Sequence, residues 1–256
     1  MSPMTSVALI TGAAHRIGRA LAENLAADGW AVGVHYAQSG EAAHKLCADI
    51  ENRGGRALPV QADLADPAAT ARLMPQLGAA FGPVSLLINN ASRFERDRID
   101  DFSLESWDAH LDANLRAPAI LMRDFAAQSP DDGPAGCIIN IIDQRVWRLT
   151  PDFSSYTISK AGLWTLTQTA AQALAPRGIR VNAIGPGPTL PNPRQDRAEF
   201  DKQTRLVPLG YGAGPEDIVE GMRYIMAAKS MTGQMIALDG GQHLAWETPD
   251  VTQVTE

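Results

Sequence analysis

The chain has 256 residues, 45% hydrophobic and 20% charged, and is therefore long enough to bury one substantial core. Its formal net charge of -7 offers no field that would attract nucleic acid or an anionic membrane surface, and no basic run occurs. The two cysteines, Cys47 and Cys137, are far apart with no CxxC pattern or His cluster beside them, so we expect neither a disulfide framework nor a metal site.

Short apolar runs alternate along the chain with longer segments of helical period. The predicted strands cover residues 7–10, 31–34, 57–60, 86–89, 137–142, 180–184 and 234–238. The predicted helices cover residues 17–27, 41–53, 67–81, 107–128, 154–174 and 215–227. Strands this apolar must be covered on both faces, which predicts an α/β fold: a Rossmann-type, doubly wound parallel sheet of about seven strands flanked by helices.

The alternation is not interrupted by a repeat or a low-complexity tract, and we expect a single domain over residues 1–246. The polar residues 247–256 are expected to form a loose tail. The first apolar run ends at Thr11-Gly12, too short for a signal peptide or a membrane span, so we expect a cytoplasmic protein with no membrane or nucleic-acid partner. Residues 188–209, in a Pro- and Gly-rich stretch, are expected to close over a small-molecule substrate as a lid.

A glycine-rich turn, Thr11-Gly-Ala-Ala-His-Arg-Ile-Gly18, directly follows the first predicted strand and opens a helix. Backbone N–H groups and the helix dipole can hold a pyrophosphate there, although such a turn can also be purely structural. The second strand runs into His35-Tyr-Ala-Gln-Ser39 without the acid that would bind a ribose 2′-hydroxyl. Arg16 and Ser39 can instead contact a 2′-phosphate, which predicts NADPH, whereas the alternative for Arg16 is a solvated surface side chain.

Tyr156 and Lys160 are four residues apart on a predicted helix and therefore share one face. A phenol with a pKa near 10 is a poor acid at neutral pH, and we expect the neighbouring ammonium to bring the pKa of Tyr156 toward the working range. This pair suits carbonyl or imine reduction, with hydride from a nicotinamide and a proton from Tyr156. The alternative is that both are ordinary residues of a helix surface.

Together these motifs resemble the short-chain dehydrogenase/reductase superfamily over nearly the whole chain, from Thr11 to Asp239-Gly240-Gly241. The resemblance implies that Asn114 completes a catalytic group with Tyr156 and Lys160, and that the enzyme is a homotetramer joined through its two long helices. The residues expected around the cofactor are Gly12, His15, Arg16, Ile17, Gly18, His35, Ser39, Asp63, Leu64, Asn90, Ala91, Ser92, Tyr156, Lys160, Pro186 and Gly187.

Asp143 stands thirteen residues before Tyr156, where most members of the superfamily have a serine that polarises a substrate carbonyl. An ionised carboxylate accepts hydrogen bonds but donates none, which disfavours a simple ketone substrate. A substrate that presents N–H groups or passes through a protonated imine would be stabilised, and a protonated Asp143 could deliver a proton to nitrogen. Reduced pterins and folates are substrates of this kind.

The pattern Arg16, Ser92, Phe94, Asp143, Tyr156, Lys160 resembles the pteridine reductases, including the bacterial dihydromonapterin and dihydrofolate reductases. By that resemblance, Arg16 replaces the second glycine of the usual turn and reaches both cofactor and substrate. Ser92 and Phe94 would supply a hydroxyl and a ring, with the pterin stacked between Phe94 and the nicotinamide. Phe94 by itself is equally compatible with a core or interface aromatic.

Two departures from the pteridine reductases keep other substrates open. Gln38 stands where these enzymes often have an arginine, and residues 144–150 have no matching counterpart, so Trp147 and Arg148 could define a different substrate. One alternative is a carbonyl reductase of the same superfamily. Another is a non-catalytic NADP(H)-binding sensor or structural protein, which the presence of Asn114, Tyr156 and Lys160 disfavours.

Overall fold

A computed structural model of the protein describes residues 6–129, 136–192 and 195–247. The strands are β1 (Val7–Ile10), β2 (Ala31–Tyr36), β3 (Arg56–Gln61), β4 (Leu86–Asn89), β5 (Cys137–Ile141), β6 (Arg180–Pro186) and β7 (Met235–Leu238). The helices are α1 (Arg16–Ala27), α2 (Gly40–Asn52), α3 (Pro67–Ala71), α4 (Leu73–Phe81), α5 (Leu104–Leu111), α6 (Ala117–Gln128), α7 (Ser154–Leu174), α8 (Arg197–Arg205) and α9 (Pro215–Ala227).

The strands form one seven-stranded sheet in the order β3-β2-β1-β4-β5-β6-β7, and every neighbouring pair is parallel. The predicted doubly wound, Rossmann-type sheet is therefore confirmed. The strand order reverses between β1 and β4, which leaves a crevice at the carboxyl ends of these strands. Ligands of open α/β sheets bind at such a reversal point.

Two apolar layers cover the sheet because successive side chains of a strand point to opposite faces. On β1, Ala8 and Ile10 pack with α1, α2 and α9, whereas Val7 and Leu9 pack with α4, α6 and α7. All four side chains are fully buried. β1 therefore lacks an exposed face, which explains its continuous apolar sequence.

Two helices predicted as continuous are interrupted in the structure. The segment predicted as a helix over 67–81 is divided at Arg72 into α3 and α4. The long helix predicted over 107–128 begins earlier, at Leu104, and contains a π-helical turn, Asp112–Arg116, between α5 and α6. A π turn shifts the helical register by one residue and leaves no mark in apolar periodicity, so the pattern could not reveal it.

Some predictions concern residues outside the described ranges. Residues 248–256 of the expected loose tail and residues 193–194 of the expected lid belong to them. The remainder of the lid contains α8, and residues 144–150 begin with a short 3₁₀ turn, Gln144–Val146. In the described part of the chain, each helix is too short or too polar to cross a bilayer.

Candidate active site

A cavity of about 800 Å³ lies at the carboxyl ends of the central strands, where the strand order reverses. All sixteen residues predicted around the cofactor contribute to its wall, as do Phe94 and Asp143. Asn114 and Trp147 do not line it. The fold thus brings together side chains from both halves of the sequence.

The glycine-rich turn is held against the end of β4. Asn90 donates from Nδ2 to the carbonyl oxygens of Thr11 at 2.8 Å and Gly12 at 3.1 Å. Thr11 Oγ1 accepts hydrogen bonds from the backbone N–H groups of Asn90 and Ala91, at 2.9 and 3.0 Å. A Cβ atom on Gly12 would collide with the backbone of Ala91, and Gly12 has a φ of 63°, so only glycine fits this turn.

His35 supports the same turn from β2. Its Nδ1 accepts a hydrogen bond from Gly12 N–H at 3.0 Å, and its Nε2 lies 3.2 Å from the carbonyl oxygen of Ala62. Both contacts are satisfied by a neutral ring that carries its proton on Nε2. Burial lowers the pKa of His35 to about 4. The imidazole therefore stays neutral at physiological pH and holds the glycine-rich turn in place.

Arg16 joins the turn to the expected lid. Its guanidinium Nη1 donates to the carbonyl oxygen of Pro191. Its Nη2 donates to the carbonyl oxygen of Leu190 at 3.0 Å. Its backbone has a φ of 55°, in the left-handed region that favours glycine, at the position where the usual turn has its second glycine. The arginine therefore keeps a glycine-like backbone and uses its side chain to tie α1 to residues 190–191.

The end of β2 forms the far wall of the cavity through Tyr36, Ala37, Gln38 and Ser39. None of these four is acidic, as the sequence shows. Ser39 is the N-cap residue of α2, but its hydroxyl does not cap the helix. This part of the cavity therefore presents hydroxyl and amide groups. A carboxylate in the same place would repel a phosphate.

Tyr156 and Asp143 form a hydrogen-bonded pair in the cavity. The Tyr156 hydroxyl donates to Asp143 Oδ2 at 2.8 Å, and Asp143 Oδ1 accepts from Arg145 N–H, also at 2.8 Å. Burial raises the pKa of Asp143 above its ordinary value. Burial, followed by the negative charge of Asp143, raises the pKa of Tyr156 well above 10. Both groups therefore favour their protonated forms, which are the forms that can donate.

The expectation that Lys160 lowers the pKa of Tyr156 was wrong for this state of the site. The Lys160 ammonium donates to the carbonyl oxygen of Ile141 at 2.8 Å and lies 5.8 Å from the centre of the Tyr156 ring. Burial lowers the pKa of Lys160 itself to about 8. The effect of burial and of Asp143 on the phenol thus outweighs that of the ammonium, which the i, i+4 spacing alone could not predict.

Asn114 is fully buried behind the cavity rather than in its wall. Its Oδ1 accepts from Arg93 N–H at 2.7 Å, and its Nδ2 donates to the carbonyl oxygen of Arg93 and to Ser159 Oγ, both at 3.0 Å. The π-helical turn carries this side chain. Asn114 therefore connects that turn, the loop after β4 and helix α7, and acts on the site through their positions.

Phe94 is part of an aromatic group against Tyr156. Its ring stacks on Phe153 with the centroids 4.6 Å apart and the planes 8° from parallel, and meets the Tyr156 ring edge-on at 4.7 Å. Arg145 covers the Phe153 ring, with its guanidinium carbon 4.8 Å from the ring centroid. Phe94 lines the cavity, so a planar ligand can contact it beside the Tyr156 hydroxyl.

The structure does not bring Trp147 to the cavity. Its ring is 43% exposed and lies edge-on to His243 at 5.3 Å and to Trp164 at 6.5 Å. The 3₁₀ turn that follows Asp143 directs the chain away from the site after Arg145. The prediction of a substrate contact at Trp147 therefore has no support in this geometry.

Several lining residues were not singled out by the sequence analysis, although all but Gln242 lie in the expected lid or in residues 144–150. Most of them are polar: Gln144, Arg145, Asn192, Gln195, Phe200, Gln203 and Gln242. They come from three separate loops and α8, and none belongs to a spaced motif. Only the packing of these distant segments around one cavity brings them together.

A family model described as short chain dehydrogenase matches residues 6–202. The chain therefore belongs to the short-chain dehydrogenase family, which confirms the superfamily predicted from its motifs.

Proteins similar to this chain have several different activities. A 3-oxoacyl-(acyl-carrier-protein) reductase of Synechocystis sp. is 34% identical over 245 residues, 94% of this chain and 98% of the relative. The 3beta-hydroxysteroid dehydrogenase 1 of Eggerthella lenta is 33% identical over 92% of this chain and 93% of its own. Among solved structures, FolM alternative dihydrofolate reductase 1 from Brucella suis in complex with NADP is 46% identical, with a TM-score of 0.92 over 96% of this chain and 98% of that one.

Proposed function

We propose that this protein is an NADPH-dependent reductase of a pterin-like substrate that contains a C=N bond. The observation that carries the proposal is the hydrogen bond from the Tyr156 hydroxyl to Asp143, 2.8 Å long, next to the Phe94 ring. A carboxyl group in this position suits a nitrogen that must be protonated, and the ring suits a planar heterocycle. The similarity to the FolM reductases of Brucella supports the same substrate class.

The cofactor part of the proposal rests on the fit of the cavity. The turn at Gly12 has no room for a Cβ atom, the end of β2 lacks an acid, and Ser39 keeps its hydroxyl out of the helix cap. These features suit a pyrophosphate and a 2′-phosphate. The FolM structures contain NADP, in agreement with this choice. When bound, NADPH supplies a hydride to the substrate carbon.

The protein's own residues handle the proton. We infer that Tyr156 passes its hydroxyl proton to the substrate nitrogen and regains a proton from the Asp143 carboxyl. The raised pKa of Asp143 favours the protonated carboxyl that this transfer needs. Lys160 holds its ammonium 5.8 Å from the centre of the Tyr156 ring, where its charge would favour a tyrosinate against the opposing effects of burial and Asp143. Asn114 fixes the positions of the loop after β4 and of helix α7.

The first test measures NADPH oxidation with dihydrobiopterin, dihydromonapterin and dihydrofolate, and with a simple diketone. We expect turnover of at least one pterin, a loss of about 10²–10⁴-fold in Tyr156→Phe, and similar loss in Asp143→Ser. Asp143→Asn is the matched control, because it keeps the size of the side chain but has no acidic proton. Failure of the wild-type protein to oxidise NADPH with any pterin would refute the proposed substrate class.

A carbonyl reductase is the second candidate, because relatives more than 30% identical include enzymes named for 3-oxoacyl and steroid substrates. Such an enzyme usually polarises its carbonyl with a serine hydroxyl, and this chain has Asp143 in that position. The diketone arm of the same assay separates the two. Under the pterin proposal, Asp143→Ser gains diketone turnover as it loses pterin turnover, because serine restores the hydroxyl donor.

We further infer that the enzyme works in the cytoplasm as a homotetramer. A cytoplasmic location agrees with the absence of a helix able to cross a bilayer in the described residues. The contacts of the homotetramer would be made by two long helical segments, one formed by α5 and α6 and the other by α7.

A further inference from the structure

The loop after β4, which carries Ser92 and Phe94 into the cavity, is fastened at every second residue. Asn114 binds both backbone groups of Arg93, His110 binds the backbone N–H of Glu95, and Asp97 binds helix α7. The fastened residues Arg93 and Glu95 are therefore direct neighbours of Ser92 and Phe94, the two residues expected to contact the substrate.

Asp97 supplies the cap that the amino end of α7 lacks. The helix begins after Phe153, whose left-handed backbone, with a φ of 64°, makes no side-chain cap. Asp97 Oδ1 accepts from Ser155 N–H at 3.2 Å, its Oδ2 accepts from the Ser155 hydroxyl, and its carbonyl oxygen accepts from Phe153 N–H at 2.7 Å. A carboxylate at a helix amino terminus is stabilised by the helix dipole. The residue after Ser155 is Tyr156.

His110 continues this network from α5, and its contacts define its tautomer. The backbone N–H of Glu95 can only donate, so His110 Nε2, 3.0 Å away, must be the unprotonated acceptor. His110 Nδ1 lies 2.8 Å from the carbonyl oxygen of Ser106 and 2.8 Å from Ser155 Oγ, so it carries the proton. Ser155 then donates its own proton to Asp97. The proton on His110 Nδ1 is thus shared between the carbonyl oxygen of Ser106 and the hydroxyl oxygen of Ser155.

A protonated His110 cannot keep this arrangement, because Nε2–H and Glu95 N–H would both be donors. Burial lowers the pKa of His110 below its ordinary value, so the neutral ring is favoured. The charged groups that face it are Asp97, Arg93 and Glu95, and the Tyr156 ring lies 6.2 Å away on α7. The fall in activity at acid pH should therefore include the loss of the hydrogen bond from Glu95 N–H to His110 Nε2.

We propose that Asp97 and His110 are positioning residues that fasten the loop carrying Ser92 and Phe94 to the amino end of the helix carrying Tyr156. Their effect is to set the place of the Phe94 ring relative to the Tyr156 hydroxyl. The substrate is thereby held at the distance that proton transfer needs. This inference rests on the proposed reductase function, whichever substrate the site accepts.

The test compares two substitutions of one residue. In His110→Gln, the amide oxygen can still accept from Glu95 N–H at every pH, whereas His110→Phe removes the acceptor and keeps a planar ring. We expect His110→Phe to raise the KM of the substrate about tenfold and leave the KM of NADPH within about twofold. His110→Gln should stay within about threefold of wild type at neutral pH and keep its activity to lower pH. His44→Gln, exposed on α2, is the titration control.

The kinetics are measured with whichever of the pterins or the diketone the wild type reduces, at a temperature where circular dichroism shows all variants folded. A purely structural role would lower the melting temperature but leave both KM values and the acid limb unchanged in the folded variants, and that result would overturn the proposal. Nitrogen-15 shifts of the imidazole provide a reading that needs no substrate. A proton on His110 Nε2 at neutral pH would also overturn it, whereas inactivity toward pterins alone would refute only the substrate class.

Discussion

At the scale of single residues, burial decides the protonation of the site. His35, Lys160, Asp143 and Tyr156 each have a pKa shifted toward the neutral form, and burial is the largest cause in every case. The groups were recognisable in the sequence as titratable residues near motifs. The direction of their shifts was not, because it depends on how completely the sheet and α7 exclude water around them.

His35 should make the protein sensitive to acid. Its folded pKa of about 4 lies below the ordinary 6.5, so the neutral ring contributes full stability above pH 6.5, and that contribution is lost as pH falls through about 4. The difference of about 2.5 pH units corresponds to roughly 3 kcal/mol. Urea unfolding at several pH values should therefore show a steeper loss of the free energy of unfolding in wild type than in His35→Asn.

Asparagine is the informative replacement for His35 because its Oδ1 can accept from Gly12 N–H without titrating. His44→Gln, at an exposed ring on α2, serves as the comparison and should follow the wild-type curve. Parallel curves for wild type and His35→Asn between pH 6.5 and 4 would contradict the role given to the buried imidazole.

At the scale of elements, the region from Leu190 to α8 adjoins the cavity and is tied to α1 through Arg16. Leu190, Asn192, Gln195, Phe200 and Gln203 all line the cavity, so ligand contacts can hold this region closed. Closing it would exclude water from the transfer of hydride and proton. The Arg16 side chain links this expected lid to the glycine-rich turn.

Limited proteolysis can detect this closure. Trypsin should cleave after Lys202 and Arg205 of α8 several-fold more slowly in the presence of NADPH and substrate, because an ordered helix resists the protease. Arg16→Met removes the two hydrogen bonds to the lid, and we expect faster cleavage of the free variant than of free wild type. Equal rates with and without ligands would mean that the lid does not close.

At the scale of the whole molecule, the surface of the long helices is the place to look for subunit contacts. Ile158 on α7 is 45% exposed and Leu104 on α5 is 73% exposed, although both are large and apolar. Association would remove this area from water. The two residues lie on the helical segments that the family resemblance implicates in the homotetramer.

Light scattering should give a mass four times that of the 27.4 kDa chain. Ile158→Lys places a charge in the expected interface and should shift the population toward smaller species. Tyr224→Lys, at an exposed aromatic on α9, is the matched control and should remain tetrameric. A wild-type mass of one chain would show that the helices are not joined in solution.

The sequence by itself determined the alternation of apolar strands and amphipathic helices, and with it the parallel sheet. It also determined the residues that follow each strand at the carboxyl edge, because a strand's end is visible in its apolar run, and this located Gly12, Asn90 and Asp143. Tyr156 and Lys160 were found because their spacing on a helix is a local property. These features depend on neighbours within a few residues.

Only the tertiary structure decided the rest. The π turn that carries Asn114, the bonds from Arg16 to the lid, and the position of Trp147 outside the cavity depend on how distant elements pack. The same is true of the chain from His110 through Ser155 to Asp97, which joins residues up to 58 positions apart. Hydrogen bonding and burial between distant segments leave no periodic pattern in the chain, so their geometry exists only after the sheet and helices have assembled.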